Sequence, residues 1–243
     1  MNVFELVNTW FAQPTTWSGP DSIPVRVAEH LLYSGLAMLI AAAIALPLGT
    51  VLGHVHRGQA VVLTIANTIR ALPTLGLLTL LVILSGIGFL PPLIALVVLA
   101  IPPMLVNAYE GVRNVDPTVV DAARGVGLRG FSTLMRVEIP VALPTILLGI
   151  RLAAIQVISA ATIAAYVGLG GLGRFIFDGL GRRDFGQVAG GSIVAAILAI
   201  AIEILFIVLA SAITSPGVSR KPRFPLRAVP SPSPVPSRKK SAA

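Results

Sequence analysis

VAGGSIVAAILAIAIEILFIVLASAI, residues 188–213, carries one ionisable side chain, Glu203, in an otherwise apolar run. About 20 consecutive, mainly apolar residues suffice for an α-helix to cross the hydrocarbon core of a bilayer, so the segment reads as a spanning helix. Four more stretches qualify outward from it: roughly 141–167, 89–109, 60–85 and 27–53. Short Gly- or Pro-containing turns at 53–59 and 85–92 join the first three spans in chain order. A polar insert, 110–140, separates the third from the fourth, and a Gly-rich loop, 168–187, separates the fourth from the fifth. The expected architecture is all-α and polytopic, with five spans.

Composition supports the same solvent. The 243 residues allow one domain or two, but 55% are hydrophobic, 12% are charged and mean hydropathy is +0.89. A soluble domain carries about 25% charged residues. The net charge of +8 would suggest nucleic acid until it is located. Arg220, Lys221, Arg223, Arg227, Arg238, Lys239 and Lys240 lie in one acid-free tail, and the rest of the chain is nearly neutral. A nucleic-acid surface would need its basic face on a folded module. The tail instead reads as a topology signal able to attract anionic headgroups. Rich in Pro, Ser and basic residues, 214–243 is expected to be disordered. With no cysteine, disulfide and thiol chemistry are excluded.

Lys/Arg bias sets orientation. Five spans put the termini on opposite sides, and a cytoplasmic tail and 110–140 insert collect twelve cations inside against four outside: Arg26, Arg174, Arg182 and Arg183. The N-terminus is therefore expected outside and the C-terminus inside. Residues 1–24 lack the basic start of a cleavable signal, and their apolar stretch is interrupted by Glu5, Asn8 and Pro14. Trp10 and Trp17 make this an extracytoplasmic, interfacial segment, since indole rings favour the membrane–water boundary.

The insert reads DPTVVDAARGVGLRGFSTLMRVEIP over 116–140. Asp116 followed by Pro117 starts a helix: the carboxylate caps free amides and the proline ring is pre-set for the first turn. The helix should stop near Val126, before Gly127. A second short helix, about 131–138, should end at Pro140, which has no N–H to donate. Two short helices at a membrane face make a rigid knob. Small residues on it would let a partner's groove approach the backbone and pass movement into the attached spans.

These residues carry a resemblance. Asp121-Ala122-Ala123, three residues, Gly127, nine residues, then Val137-Glu138-Ile139-Pro140 is similar to the EAA loop of ABC importer permeases, whose pattern is Glu-Ala-Ala, three residues, Gly, nine residues, Ile, one residue, Leu-Pro. Asp for Glu, Val for Ile and Ile for Leu are the departures. Runs at 17–21 (WSGPD), 67–74 (NTIRALPT) and 168–174 (GLGGLGR) resemble osmoprotectant permeases, which handle glycine betaine, choline, carnitine and similar quaternary ammonium compounds. Methionine-type permeases also resemble the 67–74 run. Over about 17–213 the resemblance implies the five-helix, MetI-like core of a type I ABC importer, within a permease domain at 25–213. It implies a coupling loop in which Asp116, Pro117, Asp121, Ala122, Ala123, Arg124, Gly127, Val137, Ile139 and Pro140 meet a cytoplasmic ABC ATPase. It further implies a second permease copy or paralogue and an extracytoplasmic substrate-binding protein, in a bacterial cytoplasmic membrane. ATP and Mg would be used by the partner subunit, with no cofactor bound by this chain. Independently of the family, no lysine precedes Lys221 and no Gly-x4-Gly-Lys-Ser/Thr run exists, so a P-loop cannot be built here. No catalytic residue is expected.

Three charged residues fall deep inside spans: Arg70, Arg151 and Glu203. At 1.5 Å rise per residue, each sits roughly 15 Å from the cytoplasmic end of its helix. Glu203 is expected to pair with Arg151 or Arg70; the alternative is that span boundaries place a charge at an interface. With Asn67, these are the intramembrane polar candidates. A guanidinium repels a quaternary ammonium, and no full aromatic cage is visible among Tyr33, Tyr109, Tyr166 and the phenylalanines. Selection would then rest with the binding protein. Pro73 and Pro102, with Pro47 and Pro103, are gate or kink candidates. The 168–173 glycines permit an external turn. His54 and His56 beside Arg57, with no third ligand, read as a solvated turn rather than a metal site. Competing functions are a methionine or other amino-acid permease, a secondary carrier (disfavoured because five spans without a repeat divide poorly into halves) and a membrane sensor resting on the basic tail.

Overall fold

The structure, a computed structural model, describes residues 2–213; Met1 and the 214–243 tail, whose expected disorder is noted above, lie outside the described residues. The regular structure among those residues is all helical, without a strand. Four helices are long and apolar enough to cross a membrane: α3 (Ile23–His54), α6 (Leu90–Arg113), α9 (Ile139–Ala164) with its flanking turns, and α11 (Phe185–Ile213). The remaining span is broken into α4 (Gln59–Ala71) and α5 (Thr74–Ser85), which meet at 86°.

The kink expected at Pro73 in the 60–85 span is thus a full break into two helices. Pro73 has no N–H, and its ring forces the preceding residue out of the helical region. Leu72 is accordingly extended at φ −71° and ψ 128°. Pro47, Pro102 and Pro103, by contrast, sit inside continuous helices.

The core is organised around α6, where Leu96, Met104, Ala108 and Tyr109 are fully buried. Helix α3 lays against it a row of small residues at four-residue spacing: Ala37, Ala41, Ala45, Gly49 and Gly53. A Cβ on Gly49 would lie 2.7 Å from the Leu105 carbonyl oxygen, and one on Gly53 would lie 2.7 Å from that of Tyr109. Gly149 of α9 meets the other side of α6, where a Cβ would come 2.6 Å from that of Asn107. Lipid tails are as apolar as leucine, so close backbone packing of this kind, rather than expulsion from water, drives helix association in a bilayer.

Three further expectations are revised. The second short helix of the insert is not separate, and Pro140 does not end it. Instead α8 (Phe131–Thr133), a π-helical turn (Leu134–Glu138) and α9 run on continuously to a 3-10 turn (Ala165–Val167). The N–H of Ile139 bonds the Leu134 carbonyl, five residues back, and this widened turn accommodates the ring of Pro140. The 168–187 loop contains a helix, α10 (Gly173–Arg182). Residues 3–17 form α1 (Val3–Ala12) and α2 (Pro14–Trp17), and Trp10 does not lie open to the interface. It is buried in a seam with α11, its indole filling the space above Gly190 and meeting Phe175 edge-on at 5.3 Å. Trp17 stays exposed, its ring N–H donating to the Phe11 carbonyl at 2.7 Å.

Candidate functional site

At the end of the bundle where α3 and α6 finish, α7 (Pro117–Gly125) starts as expected. One carboxylate oxygen of Asp116 accepts from the Thr118 backbone N–H and from its hydroxyl, both at 2.8 Å. The hydroxyl bond and then the backbone bond hold the Asp116 carboxyl below the usual carboxylate range. A depressed carboxyl stabilises the fold above its unfolded value, and that contribution is lost as pH falls through the folded value, below about 4. Asp116→Ala is expected to speed amide exchange in the first turn of α7 on the order of fivefold at neutral pH. The difference from wild type should shrink in acid, read by hydrogen exchange. Gly127 then turns the chain at φ +91°.

Ala123 seats α7 on the bundle, while Asp121, Ala122 and Arg124 face outward. Arg124 and Asp121 are 3.7 Å apart and both well exposed, a pair that contributes little. Two apolar side chains beside them are also open: Val126 is 81% and Phe131, where the continuous helix leading into α9 begins, 70% exposed. Of the downstream motif residues, Val137 is half-buried, Pro140 is exposed, and Ile139 packs against the buried cluster of Ala108, Val112, Leu134, Ala142 and Ile146.

Glu138, which sequence reading passed over, roots this knob. It is 2% exposed, and its carboxylate meets His54 Nδ1 at 2.6 Å. His54 is therefore not part of a solvated turn; it ties the end of α3 to the π turn. Glu138 shares one helical face with buried Leu134, Ala142 and Ile146, and that four-residue register was the available signal of a carboxylate needing a partner. A cavity of about 270 Å³ lies between this root and α7, lined by Glu138, His56, Pro117, Asp121 and Arg124.

In the middle of the bundle Arg151 grips Glu203 with two donors: Nε at 2.9 Å to one oxygen and a terminal nitrogen to the other. Arg70 is not in this pair. It lies exposed on α4 with Asn67 one turn before it, just ahead of the break at Pro73, and makes no ion pair among the described residues. Pro102 is buried in α6, away from any opening.

At the opposite end, α3 clamps the Gly-rich loop. Glu29 accepts the Gly171 N–H at 2.8 Å and the Arg26 guanidinium at 2.8 Å. His30, 1% exposed, accepts the Leu172 N–H on Nδ1 at 3.3 Å, which assigns its proton to Nε2 and so makes the 3.0 Å contact to the Ile158 carbonyl a donation. Gly168 and Gly171 take φ +97° and +90°.

Broken and continuous spans around a small-residue core, with a rigid helical knob at one end, define a multi-pass membrane component of a transport system. The chain belongs to the family described as binding-protein-dependent transport system inner membrane component, whose model matches residues 45–219. It is 34% identical to the glycine betaine/carnitine/choline transport system permease protein OpuCB of Bacillus subtilis, over 79% of this chain and 89% of that one. It is 35% identical to the choline transport system permease protein OpuBB of the same organism, over 80% and 90%. It is 37% identical to the carnitine transport permease protein OpuCB of Listeria monocytogenes, over 74% and 82%. In fold it is similar to an inward-facing structure of the MetNI methionine ABC transporter, with TM-score 0.70, 22% identity and coverage of 84% of this chain and all of the other.

Proposed function

We propose that this chain is the membrane-spanning permease subunit of an ATP-driven importer of osmoprotectants: glycine betaine, choline, carnitine or a similar quaternary ammonium compound. The printed functions of its relatives support that substrate class. The similarity to a methionine transporter is one of fold alone and favours no amino acid. The 116–140 end faces the cytoplasm and docks a separate ABC ATPase, which uses the ATP and Mg. The opposite end, with α10 and the N-terminus, faces outward and receives substrate from a binding protein. A second permease, copy or paralogue, completes the path.

The observation that carries the coupling reading is the knob itself. Val126, on the polar insert between two spans, is apolar and open, and Phe131 is open at the first residue of the continuous helix that follows; a docked partner would remove Val126 from water. Movement of the partner on ATP binding would push α7, and Glu138 would deliver it to α9 directly and to α3 through His54. Glu138→Leu strands His54 and is expected to cut uptake on the order of tenfold, with ATP hydrolysis by the assembled transporter nearly unchanged. Uptake and phosphate release measured on the same proteoliposomes would check it.

The whole reading is tested by reconstituting the chain with its ATPase, companion permease and binding protein, and following radiolabelled glycine betaine and choline. Import should require internal-side ATP and the binding protein, and should survive collapse of ion gradients. Uptake without the ATPase, or uptake that stops with the gradients, contradicts it.

A further inference from the structure

A guanidinium within an apolar span needs an anion or a polar path beside it. Arg70 lies eleven residues into α4, about 16 Å along the helix. Both oxygens of Glu203, the acid placed at comparable depth, are taken by Arg151, and Glu29, near the start of α3, is occupied by Arg26 and the Gly171 N–H. A second copy of the chain would bring the same inventory, with its Glu203 equally occupied. Arg70's counter-charge must therefore come from elsewhere.

The neighbourhood of Arg70 is built for a small polar guest. Asn67, one turn earlier, is exposed beside it and adds a hydrogen-bonding amide. Three residues after Arg70 the span turns through 86° at Pro73. The backbone carbonyls of Arg70 and Ala71 accept no backbone hydrogen bond across that break. Carbonyls at a helix C-terminus carry partial negative charge, which suits a cation. Transporters place substrate sites at discontinuous spans of this kind. An arginine and freed carbonyls thus present opposite charges within one short stretch of chain.

Resting on the substrate class proposed above, we propose that Arg70, with Asn67, is the carboxylate-recognising pole of a zwitterion site at the α4–α5 break. The quaternary ammonium lies toward the freed carbonyls, where a guanidinium no longer repels it because the carboxylate stands between them. The site discriminates: a carboxylate-bearing betaine uses Arg70, and choline, which has only a hydroxyl, does not.

The test uses the complete reconstituted transporter carrying R70Q or R70K, with uptake at saturating binding protein. R70Q is expected to lower glycine betaine uptake at least about 30-fold and choline uptake by less than about threefold, since a charge-assisted hydrogen-bond pair is lost only with the former. R70K, which keeps the charge without the fork, should recover betaine uptake to within about fivefold of wild type. Betaine uptake in R70Q within threefold of wild type, or parallel losses for betaine and choline, would overturn the assignment, the latter pointing to a structural pair with a companion subunit. If wild type imports betaine alone, R70K no better than R70Q overturns it. A wild type that imports choline but nothing with a carboxylate sinks this site and leaves the proposed function standing; one that imports neither sinks the proposed function itself.

Discussion

Replacing Ala122 by tryptophan is expected to cut ATP-driven uptake at least about a hundredfold while the bundle stays folded, because an indole forced into a fitted contact costs several times the thermal energy. Ala122 points outward from α7, with Val119 exposed one turn before it and Val126 one turn after. A partner's groove that closes over these two has room for a methyl group between them and none for an indole. Within the chain itself the new ring meets only solvent, so thermal unfolding of the purified permease should not change. Ala122→Ser, nearly the same volume, should transport normally. Co-purification of the ATPase with each variant supplies the direct readout: it should be lost with tryptophan and kept with serine. Normal uptake by the tryptophan variant would mean that α7 is not gripped.

The second large effect is expected at Glu203. Glu203→Leu strands Arg151 in the spans, and a lone charge near the bilayer centre costs on the order of 2.5–3.5 kcal/mol, or roughly a hundredfold in the folded population. The pair is the polar tie between α9 and α11, and its side chains remain 32% and 28% exposed within the chain. Exposing the survivor to lipid is thus the expected damage. Helix α11 is otherwise anchored mainly near one end, where Gly186, Gly190 and Gly191 pack against Leu6, Trp10 and Phe175. Arg151→Glu should be as damaging as Glu203→Leu, and the double exchange Arg151→Glu with Glu203→Arg should restore most of the assembled protein. Size-exclusion profiles and uptake would both report it. An exchange no better than either single variant would show that the pair does more than neutralise charge.

Much of this architecture could be read from the chain because a bilayer imposes length and polarity on each span. The spans at 27–53 and 188–213 lie within α3 and α11. Asp116-Pro117 and Gly127 marked α7 because capping and positive φ are decided by a few adjacent residues. Long-range pairing was less accessible. Glu203 admitted two cationic partners from depth alone, and only the packing of α9 on α11 selects Arg151. Pro73 was legible as an interruption, but not as an 86° break, since Pro47 and Pro102 leave their helices continuous. The same proline chemistry has different outcomes according to what surrounds the helix. Pro140 misled because a π turn can absorb a proline that would end an α-helix. Contacts such as Glu138 with His54 and Glu29 with Gly171 join residues 84 and 142 positions apart, beyond the reach of local rules.

The chain has no cysteine, so a single one placed at Ala122 reports without background. The decisive measurement is crosslinking from Ala122→Cys in membranes holding the whole transporter, paired with labelling of intact cells by a thiol reagent that cannot cross the bilayer. The expected result is a crosslink to the ATPase subunit whose yield changes when ATP binds, with no labelling from outside. Labelling of Ala122→Cys in intact cells, or no crosslink to any nucleotide-hydrolysing subunit, would contradict the assignment of 116–140 as the cytoplasmic coupling element.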